Sequence, residues 1–571
     1  MLFLAIPALI IAVSGAAAAQ PLGVEDNTRR LPALPSFEAV EDAELATPQS
    51  RGAPVSRRAD GGATFGWRAV AFEGASLFDE ATLRGVVADL MTAETTVVDL
   101  EIARTRLTKF YTDAGFINSG ALLPGQNVAS GLVRFSIVEG RLSEVRPLGQ
   151  AIGLDFGPGG QLHPDYVTDR LAIDPDAPLN VNDLRETFGN LLEDRMITRL
   201  DGRLLPGDVP GEAVLEIEVD TAPPFELALS LNNENSVSNG ALGADLSAQI
   251  RNVTGMGEFT DIDLSVSEGR KAISAAVDMP IGAGAWIPYI EATYAQSEVV
   301  EEPFDVLDIE NEFLSVGAGA RWLAWKGDTD RVTLIGSLEH KRSRTTLLGR
   351  PFPATGTDSD VNSATIVRFA QEFVRREQEA VTALRSSFSV GLPIFGATKA
   401  DRGFADGSFL SWLGQAQHTR RLNQNVSLVL RGQAQWSMDP LLSFEKIGLG
   451  GVGTVRGYRQ NAITRDIAVL GSVELPVVAA NAPIPGLTGP DGQAPLTIAP
   501  FVDYGIGWNK GASGGAEQNL LGVGVGFTYR PNNTIRASLT YGRPVIDGPG
   551  GAGERDLTDE AIYFNVTFTA F

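Results

Sequence analysis

Residues 225–231 read FELALSL, and every second side chain in this segment is apolar. A period of two residues is that of a β-strand with one apolar face. The pattern begins directly after Pro223-Pro224 and recurs farther along the chain, for example at residues 261–267, 426–435 and 535–541. The opposite face of these segments is polar or fully charged. We therefore predict that residues 222–571 form a single all-β domain.

Alternation of this kind fits both a soluble β-sandwich and a transmembrane β-barrel, and two further features favour the barrel. An apolar run at residues 2–13 is too short to span a membrane as a helix, and the small residues Ala17–Ala19 follow it. This is typical of a cleaved signal peptide, here residues 1–19. Aromatic side chains also lie near the ends of the expected strands, as in the girdles of membrane barrels. They are Trp286, Tyr289, Trp322, Trp325, Trp436 and Tyr529.

The composition excludes several classes of protein. The 571 residues include no cysteine, which excludes a disulfide scaffold, an iron–sulfur cluster and a cysteine nucleophile. The three histidines, His163, His340 and His418, are far apart in sequence, so we predict no metal site and no cofactor. A formal net charge of −24 argues against a nucleic-acid partner, which would require a basic surface.

The chain between the signal and the all-β domain contains a leader and two small modules. Residues 20–64 are polar and contain several prolines, which predicts a short helix or extended arm followed by a linker. Residues 65–145 and 146–221 each combine helical periodicity with alternating segments, so each is predicted to be an α+β module. The expected helices are residues 79–90, 100–111, 162–173 and 181–192, and the expected strands include residues 121–124, 132–139 and 214–219.

Both modules resemble POTRA domains of two-partner secretion transporters. In the first, the resemblance is carried by FYxxxGF at residues 110–116, Leu123-Pro124 and VEGRL at residues 138–142. In the second it is carried by Asp183-Leu184, LLPGDVPG at residues 204–211 and LxI at residues 215–217. A POTRA sheet has an edge strand that can pair with an extended client segment, so the resemblance places client binding within residues 65–221.

The strongest motif lies near the C-terminal third of the chain. FxxIGLGG at residues 444–451, followed by Val455, Arg456, Gly457 and Tyr458, resembles the inward-folded loop of the superfamily that inserts or exports proteins across outer membranes. Downstream, Phe501, Asp503 and Gly505 resemble the motif on the inner barrel wall that receives the loop arginine.

The residues also give a physical reason to pair Arg456 with Asp503. Alternation points Asp503 inward together with Phe501 and Gly505, and a guanidinium can bind a carboxylate through two parallel hydrogen bonds. The alternative is that Arg456 faces water in an external loop. Two other motifs in this part of the chain lack the context that their chemistry requires. The glycines 448, 450 and 453 are not within a βαβ unit, and GASGG at residues 511–515 is not followed by a helix, so we predict no enzyme activity.

The resemblance implies a two-partner secretion transporter of the haemolysin and filamentous-haemagglutinin secretion/activation family. It implies two periplasmic POTRA domains and a sixteen-stranded antiparallel barrel in the outer membrane of a Gram-negative cell. The expected partners are one large secreted exoprotein, exported unfolded, together with outer-membrane lipid and the barrel-assembly machinery during biogenesis. Two alternatives remain open at this point: an assembly factor of the same superfamily, and a passive porin. The last strand, residues 562–571 with Phe571 at its end, is expected to carry the insertion signal.

Overall fold

The structure is a computed structural model that describes most of the chain. The described residues are 43–46, 64–148, 162–171, 173–192, 194–282, 284–327, 329–353, 359–489, 492–511, 517–548 and 557–570. The expected signal peptide, most of the leader and Phe571 lie outside this set. Within the described ranges, no helix is long and apolar enough to cross a membrane.

The chain divides into two units, and the first comprises Val40–Ala222 together with Thr254–Gly257. Its described residues form two sheets and four α-helices. Its elements are β1 (Ala43–Ala46), β2 (Ala69–Glu73), α1 (Glu80–Val87), α2 (Val97–Asp113), β3 (Gly120–Leu122), β4 (Leu132–Val138), β5 (Arg141–Leu148), α3 (Pro164–Leu171), α4 (Val181–Leu192), β6 (Ile197–Pro206) and β7 (Glu212–Thr221).

The first module is a three-stranded sheet in the order β2-β4-β3, with α1 and α2 packed against it. Strand β2 runs parallel to β4, and β3 runs antiparallel to it. The helix α2 begins with a capping box, in which Thr96 and Asp99 satisfy each other's backbone N–H groups. Its apolar face buries Leu107 and Tyr111 against Val133 and Phe135 of β4.

Glu139 joins the two motifs that carry the resemblance in this module. Its carboxylate accepts hydrogen bonds from the backbone N–H groups of Ser76 and Leu77, at 2.8 and 2.9 Å, and from the Tyr111 hydroxyl at 3.0 Å. Burial alone would raise the pKa of Glu139, but these bonds outweigh it and hold that pKa below its usual range. The VEGRL and FYxxxGF segments are therefore tied together by one ionised side chain.

The second module is a four-stranded sheet in the order β1-β6-β7-β5. Strand β5 pairs in parallel with β7, so residues 141–145, which sequence analysis assigned to the first module, belong to the second sheet. The first sheet ends at β4, before the turn at Gly140. Strand β6 was not predicted, since its apolar side chains do not alternate strictly. The leader segment β1 pairs in parallel with β6 and forms one edge of the sheet.

In its described part the second unit extends over residues 223–253 and 258–570, with gaps, and it is a closed antiparallel barrel with an internal hairpin, β20-β21. Its strands are β8 (Phe225–Asn232), β9 (Gly243–Arg251), β10 (Phe259–Ser267), β11 (Arg270–Asp278), β12 (Trp286–Glu298), β13 (Ile309–Lys326), β14 (Asp330–Leu347), β15 (Arg350–Pro351), β16 (Val361–Arg376), β17 (Ala380–Leu392), β18 (Leu410–Arg421), β19 (Ser427–Ser437), β20 (Ile447–Leu449), β21 (Ile463–Arg465), β22 (Ile467–Glu474), β23 (Val477–Asn481), β24 (Pro495–Trp508), β25 (Gln518–Tyr529), β26 (Ile535–Pro544) and β27 (Ile562–Ala570).

The barrel has sixteen strands, as the resemblance implied. Strands β22 and β23 both pair with β24 and form one interrupted strand, while the two-residue β15 only extends a hairpin. The barrel closes where β27 pairs with β8. The alternating side chains of each strand therefore lie on the inner and outer faces of a closed barrel, so the soluble β-sandwich considered as an alternative is wrong.

The outer face is apolar and carries aromatic rings near one rim. Leu227, Leu229 and Leu231 of β8 are exposed on it, and the rings of Trp286 and Trp322 stack with their centroids 5.4 Å apart. Tyr289 was expected in the girdle, but it is 5% exposed and lies beneath Arg321 inside the barrel. It occupies an odd position of β12, whose even positions face outward.

Replacing Glu139 with Gln is expected to destabilise the first module by about 1–3 kcal/mol, because the amide cannot accept all the bonds that the carboxylate accepts. Folding lowers the pKa of Glu139. Its contribution to the stability of the folded module is therefore fully present above the pKa of the unfolded state, and it is lost as pH falls through the pKa of the folded state. Hydrogen exchange of residues 76–116 in the intact protein measures both effects. Glu73→Gln, at an exposed site 3.8 Å from Arg134, is the control and is expected to change neither. Equal exchange in the two variants would contradict this role of Glu139.

Candidate functional site

The candidate site is the chain between β19 and β22, which we call the lumen loop (residues 438–466). It connects the eleventh barrel strand to the twelfth, so antiparallel order places its ends at the rim opposite the start of β8. From there it folds back into the barrel, where β20 and β21 pair as a hairpin. All three residues of β20 are buried. The loop therefore occupies the barrel interior. It contains the FxxIGLGG motif at residues 444–451 and the segment from Val455 to Tyr458.

Arg456, at the tip of the loop, binds Asp503 on the wall strand β24. The Arg456 Nε and Nη2 atoms donate to the two carboxylate oxygens of Asp503 at 2.7 and 2.9 Å, and the Arg456 backbone N–H donates to the same group at 3.0 Å. Asp503 is fully buried and Arg456 is 9% exposed. The arrangement is the two-bond geometry that a lysine could not supply.

Three further wall groups complete the surroundings of Arg456. Its Nη1 donates to Glu474 at 2.7 Å, and its Nη2 lies 3.3 Å from the Ser472 hydroxyl, which also donates to Asp503. The guanidinium carbon is 3.5 Å from the centroid of the Phe501 ring. Glu474 also receives Arg431 at 3.3 Å. Two arginines, Arg431 and Arg456, and two carboxylates, Asp503 and Glu474, thus form one network of ion pairs at the tip.

The other motif residues fix the loop backbone against the wall. Val455 is fully buried in an apolar cluster with Leu449 and Leu470. The Tyr458 hydroxyl donates to the backbone carbonyl of Ile546 at 2.6 Å and accepts from the backbone N–H of Leu521 at 3.1 Å. These contacts attach the tip to the last strands of the barrel.

Glycines on the wall make room for the loop. Gly457 has φ of +104°, which disfavours any side chain there. On the facing strands, a Cβ at Gly522 would lie 1.8 Å from the Arg456 carbonyl oxygen, and one at Gly542 would lie 2.6 Å from the Gly457 nitrogen. A Cβ at Gly505 would lie 2.9 Å from Val455. Strands β24, β25 and β26 therefore accept the loop backbone directly.

The base of the lumen loop is attached to other wall strands, β14 and β16, by a second charged cluster, which we call the base cluster (Glu339, Lys341, Arg368 and Glu445). Glu445 of the loop accepts from Lys341 at 3.1 Å and from Arg368 at 2.8 Å. Arg368 also binds Glu339 at 2.9 Å. Every side chain in the base cluster is at most 4% exposed, and the formal charges balance.

Apolar packing accompanies the base cluster. The ring of Phe444 packs edge-on against Phe313 of β13, with centroids 6.0 Å apart, and Leu441 and Leu442 join the same buried group. The loop is therefore held at its base and at its tip on different strands of the barrel. It crosses the lumen as a bar rather than hanging from one wall.

A third contact lies just beyond the tip, at Arg459. Its guanidinium binds Asp559, between β26 and β27, with one bond of 2.7 Å, and Glu301, between β12 and β13, at 2.5 Å. Both partners lie in connections at the rim where the lumen loop starts. This contact joins the loop to the outer connections.

Sequence reasoning identified the tip and missed the base. The structure brings together Val455, Arg456, Gly457 and Tyr458 with Phe501, Asp503 and Gly505. The partners that were not predicted are Glu474, Ser472, Gly522, Gly542 and the base cluster. Glu339, Lys341 and Arg368 occupy inward positions of β14 and β16, but charged side chains are common on that face, so they did not single out the base cluster. Among the described residues, no group of three or more His, Cys, Asp and Glu is placed to hold a metal ion.

Comparisons with known proteins agree with this architecture. A family model described as haemolysin secretion/activation protein ShlB/FhaC/HecB matches residues 211–529, more than half of the chain. The chain belongs to the ShlB/FhaC/HecB family. A model of the ShlB-type POTRA domain also matches residues 65–140. Membership of this family places the barrel in the outer membrane and the POTRA domains in the periplasm.

Curated relatives carry transporter names. Outer membrane transporter CdiB of Escherichia coli O6:K15:H31 is 23% identical over 416 residues, which cover 69% of this chain and 66% of that protein. Heme/hemopexin transporter protein HuxB of Haemophilus influenzae strain 86-028NP is 21% identical and covers 79% of this chain and 78% of that protein. The matched part of the chain thus spans about two thirds of the CdiB relative.

Two solved structures have the same fold as this chain. CdiB from Escherichia coli superposes with a TM-score of 0.64 at 19% identity, over 93% of this chain and 95% of that one. BamA from Haemophilus ducreyi lacking POTRA domains 1-3 gives a TM-score of 0.52 at 12% identity, over 89% of this chain and 100% of that one. The fold of the barrel and of the preceding POTRA region is therefore shared with both of these proteins.

Replacing Arg368 with Gln is expected to lower the free energy of unfolding of the barrel by about 3–5 kcal/mol, because two buried carboxylates lose a shared cation. Arg375→Gln is the matched control on the same strand, since its ion pair with Asp330 is on a side chain that is 47% exposed. That change is expected to cost little, because water and salt screen an exposed ion pair. Urea unfolding of both variants in detergent compares them, and equal losses would contradict a structural role for the base cluster.

Proposed function

We propose that this protein exports one large exoprotein across the outer membrane in an unfolded state, as the transporter of a two-partner secretion system. The observation that carries the proposal is the lumen loop, held across a sixteen-stranded barrel by buried ion pairs at its base and tip. A barrel with this bar in place is closed to a polypeptide. Family membership and the transporter relatives support the same function.

The ion pairs suit a bar that has to be released. Buried charge pairs contribute little net stability compared with apolar packing, because separated charges regain hydration. An exported chain that enters the lumen brings backbone and side-chain hydrogen-bonding groups, which can take over the partners of Arg456 and Asp503. The loop can then leave the wall without a large net loss of interactions. Because no nucleotide is required in this scheme, folding of the client outside the cell would supply the direction.

The POTRA modules would recruit the client. In the second module, β6 already accepts an extended segment, Ala43–Ala46, as a parallel strand along four residues. This supports the expectation that POTRA sheets of this chain pair with extended polypeptide. A client segment would add to an edge strand in the same way, with backbone bonds supplying affinity and side-chain pockets supplying selectivity.

The two alternatives are less well supported. A passive porin needs a permanently open lumen, whereas the lumen loop is fastened to opposite parts of this wall. An assembly factor is suggested by the BamA likeness, but that likeness is one of fold at 12% identity. The barrel-assembly machinery would act on this protein as its substrate, during insertion into the membrane.

Deleting residues 65–221 is expected to abolish export while leaving a folded barrel, because recruitment would be lost and the barrel strands would be intact. We expect the client to be encoded beside this gene. The protein is therefore produced together with the products of the adjoining genes, and large secreted protein in the medium is measured. Barrel abundance and its shift on heating in gels are measured in the same cells. A deletion variant that exports normally would contradict recruitment by the POTRA modules, and failure of the full-length protein to export would contradict the function itself.

A further inference from the structure

The connection between β17 and β18 comprises residues 393–409. Its first part, residues 394–398, which we call the outer flap, lies over the outside of the barrel, whereas Ala405 and Phe409 pack inside with Phe444. The Gly396 carbonyl of the flap accepts a hydrogen bond from the Ser363 hydroxyl at 2.5 Å, and Thr398 exchanges bonds with the Ser363 backbone. The Thr365 hydroxyl donates to the Ile394 carbonyl at 3.3 Å. Ser363 and Thr365 occupy outward positions of β16, so the flap covers the outer face of that strand.

The flap presents two apolar side chains that the described part of the chain leaves exposed. Phe395 is 74% exposed and Ile394 is 42% exposed. Phe395 has φ of +52°, a region that a bulky residue rarely adopts, and it is followed by Gly396 at +75°. A backbone held in this conformation to expose an aromatic ring indicates a function for the ring rather than a random surface position.

The depth of the flap follows from the outward side chains of β16. Moving up the strand, Phe373, Gln371, Phe369 and Val367 face outward below Thr365 and Ser363, so this row is apolar except at Gln371. An apolar band of a membrane barrel is about 25 Å tall, and a strand tilted by about 40° climbs roughly 2.5 Å per residue. The ten positions from Phe373 to Ser363 therefore span about the whole band. The residues that hold the flap lie at its outer limit.

The neighbouring strand gives the same limit independently. On β14, the outward side chains Leu334 and Leu338 are apolar, and they are followed by His340 and then Arg342. His340 contacts Thr365 at 3.0 Å, and Arg342 is in register with Ser363. The switch from apolar to polar thus falls at one level on both strands, and an exposed cation lies at that level, where lipid phosphates are found.

We propose that the outer flap is a membrane anchor: Ile394 and Phe395 insert among the acyl chains of the outer leaflet, beside its phosphorylated headgroups. The patch is continuous with the lipid-facing wall of Val367 and Phe369, so lipid already covers the adjoining surface. An exoprotein emerging from the lumen would meet the inner side of the rim, whereas this patch faces away from it. The anchor fixes β17 and β16, and β16 carries Arg368 of the base cluster.

The test uses the absence of cysteine from the chain, which makes any introduced cysteine the only labelling site. Phe395→Cys is labelled with the fluorophore NBD and reconstituted into vesicles of phosphatidylethanolamine and phosphatidylglycerol that contain a nitroxide on the upper acyl chain. Ile394→Cys is labelled in parallel, so that a folding failure of one variant leaves the other. Val306→Cys is the control, because Val306 is 71% exposed on another connection at the same rim.

We expect blue-shifted emission and several-fold stronger nitroxide quenching at positions 394 and 395 than at 306. Iodide added to the water is expected to give the opposite order. Equal nitroxide quenching at all three positions, or iodide quenching at 395 as strong as at 306, would overturn the proposal. Since the readout does not involve export, its outcome is independent of the proposed function.

Discussion

A charged loop inside a barrel can be kept only if each buried charge finds a partner on the wall, and this constraint organises the barrel of this protein. Arg456 at the tip of the lumen loop forms ion pairs with Asp503 and Glu474 of the wall. Glu445 at the base forms ion pairs with Lys341 and Arg368 of the wall. The loop carries a carboxylate at its base and a guanidinium at its tip. Because these charges are opposite, the base and the tip each fit only one part of the wall. The ion pairs therefore determine the position and direction of the loop, in addition to any stability they add.

The glycines and the charges act together. Charge pairing brings the loop tip to the wall, and Gly522 and Gly542 let its backbone approach to distances that any Cβ would prevent. A loop fastened only by apolar packing would resist release, since exposure of that surface in a wet lumen costs free energy in proportion to its area. A loop fastened by ions and hydrogen bonds exchanges one set of polar partners for another. The same site can therefore close the barrel firmly and still be opened by an incoming polypeptide.

The sequence predicted the parts of this arrangement that depend on local pattern. Period-two alternation separates the inner and outer faces of the barrel, and the same parity places Asp503 inward. Contacts between distant segments that no motif marks were not predictable. Glu445 binds Lys341 across 104 positions, and no local pattern links the two residues. Strand β5 was divided between two modules for the same reason, since its partner β7 lies some 70 residues later. The count of sixteen strands came from resemblance rather than from the residues themselves.

The most direct test of this account is a double-mutant cycle on the tip, with exoprotein export measured at equal barrel abundance. The variants are Arg456→Ala, Asp503→Ala and the double mutant, with Arg431→Ala as a control that removes a neighbouring cation and leaves the pair in place. The account predicts that each tip variant impairs export and that the double mutant is little worse than either one. Strictly additive losses in the double mutant would contradict the central claim that Arg456 and Asp503 act as one unit.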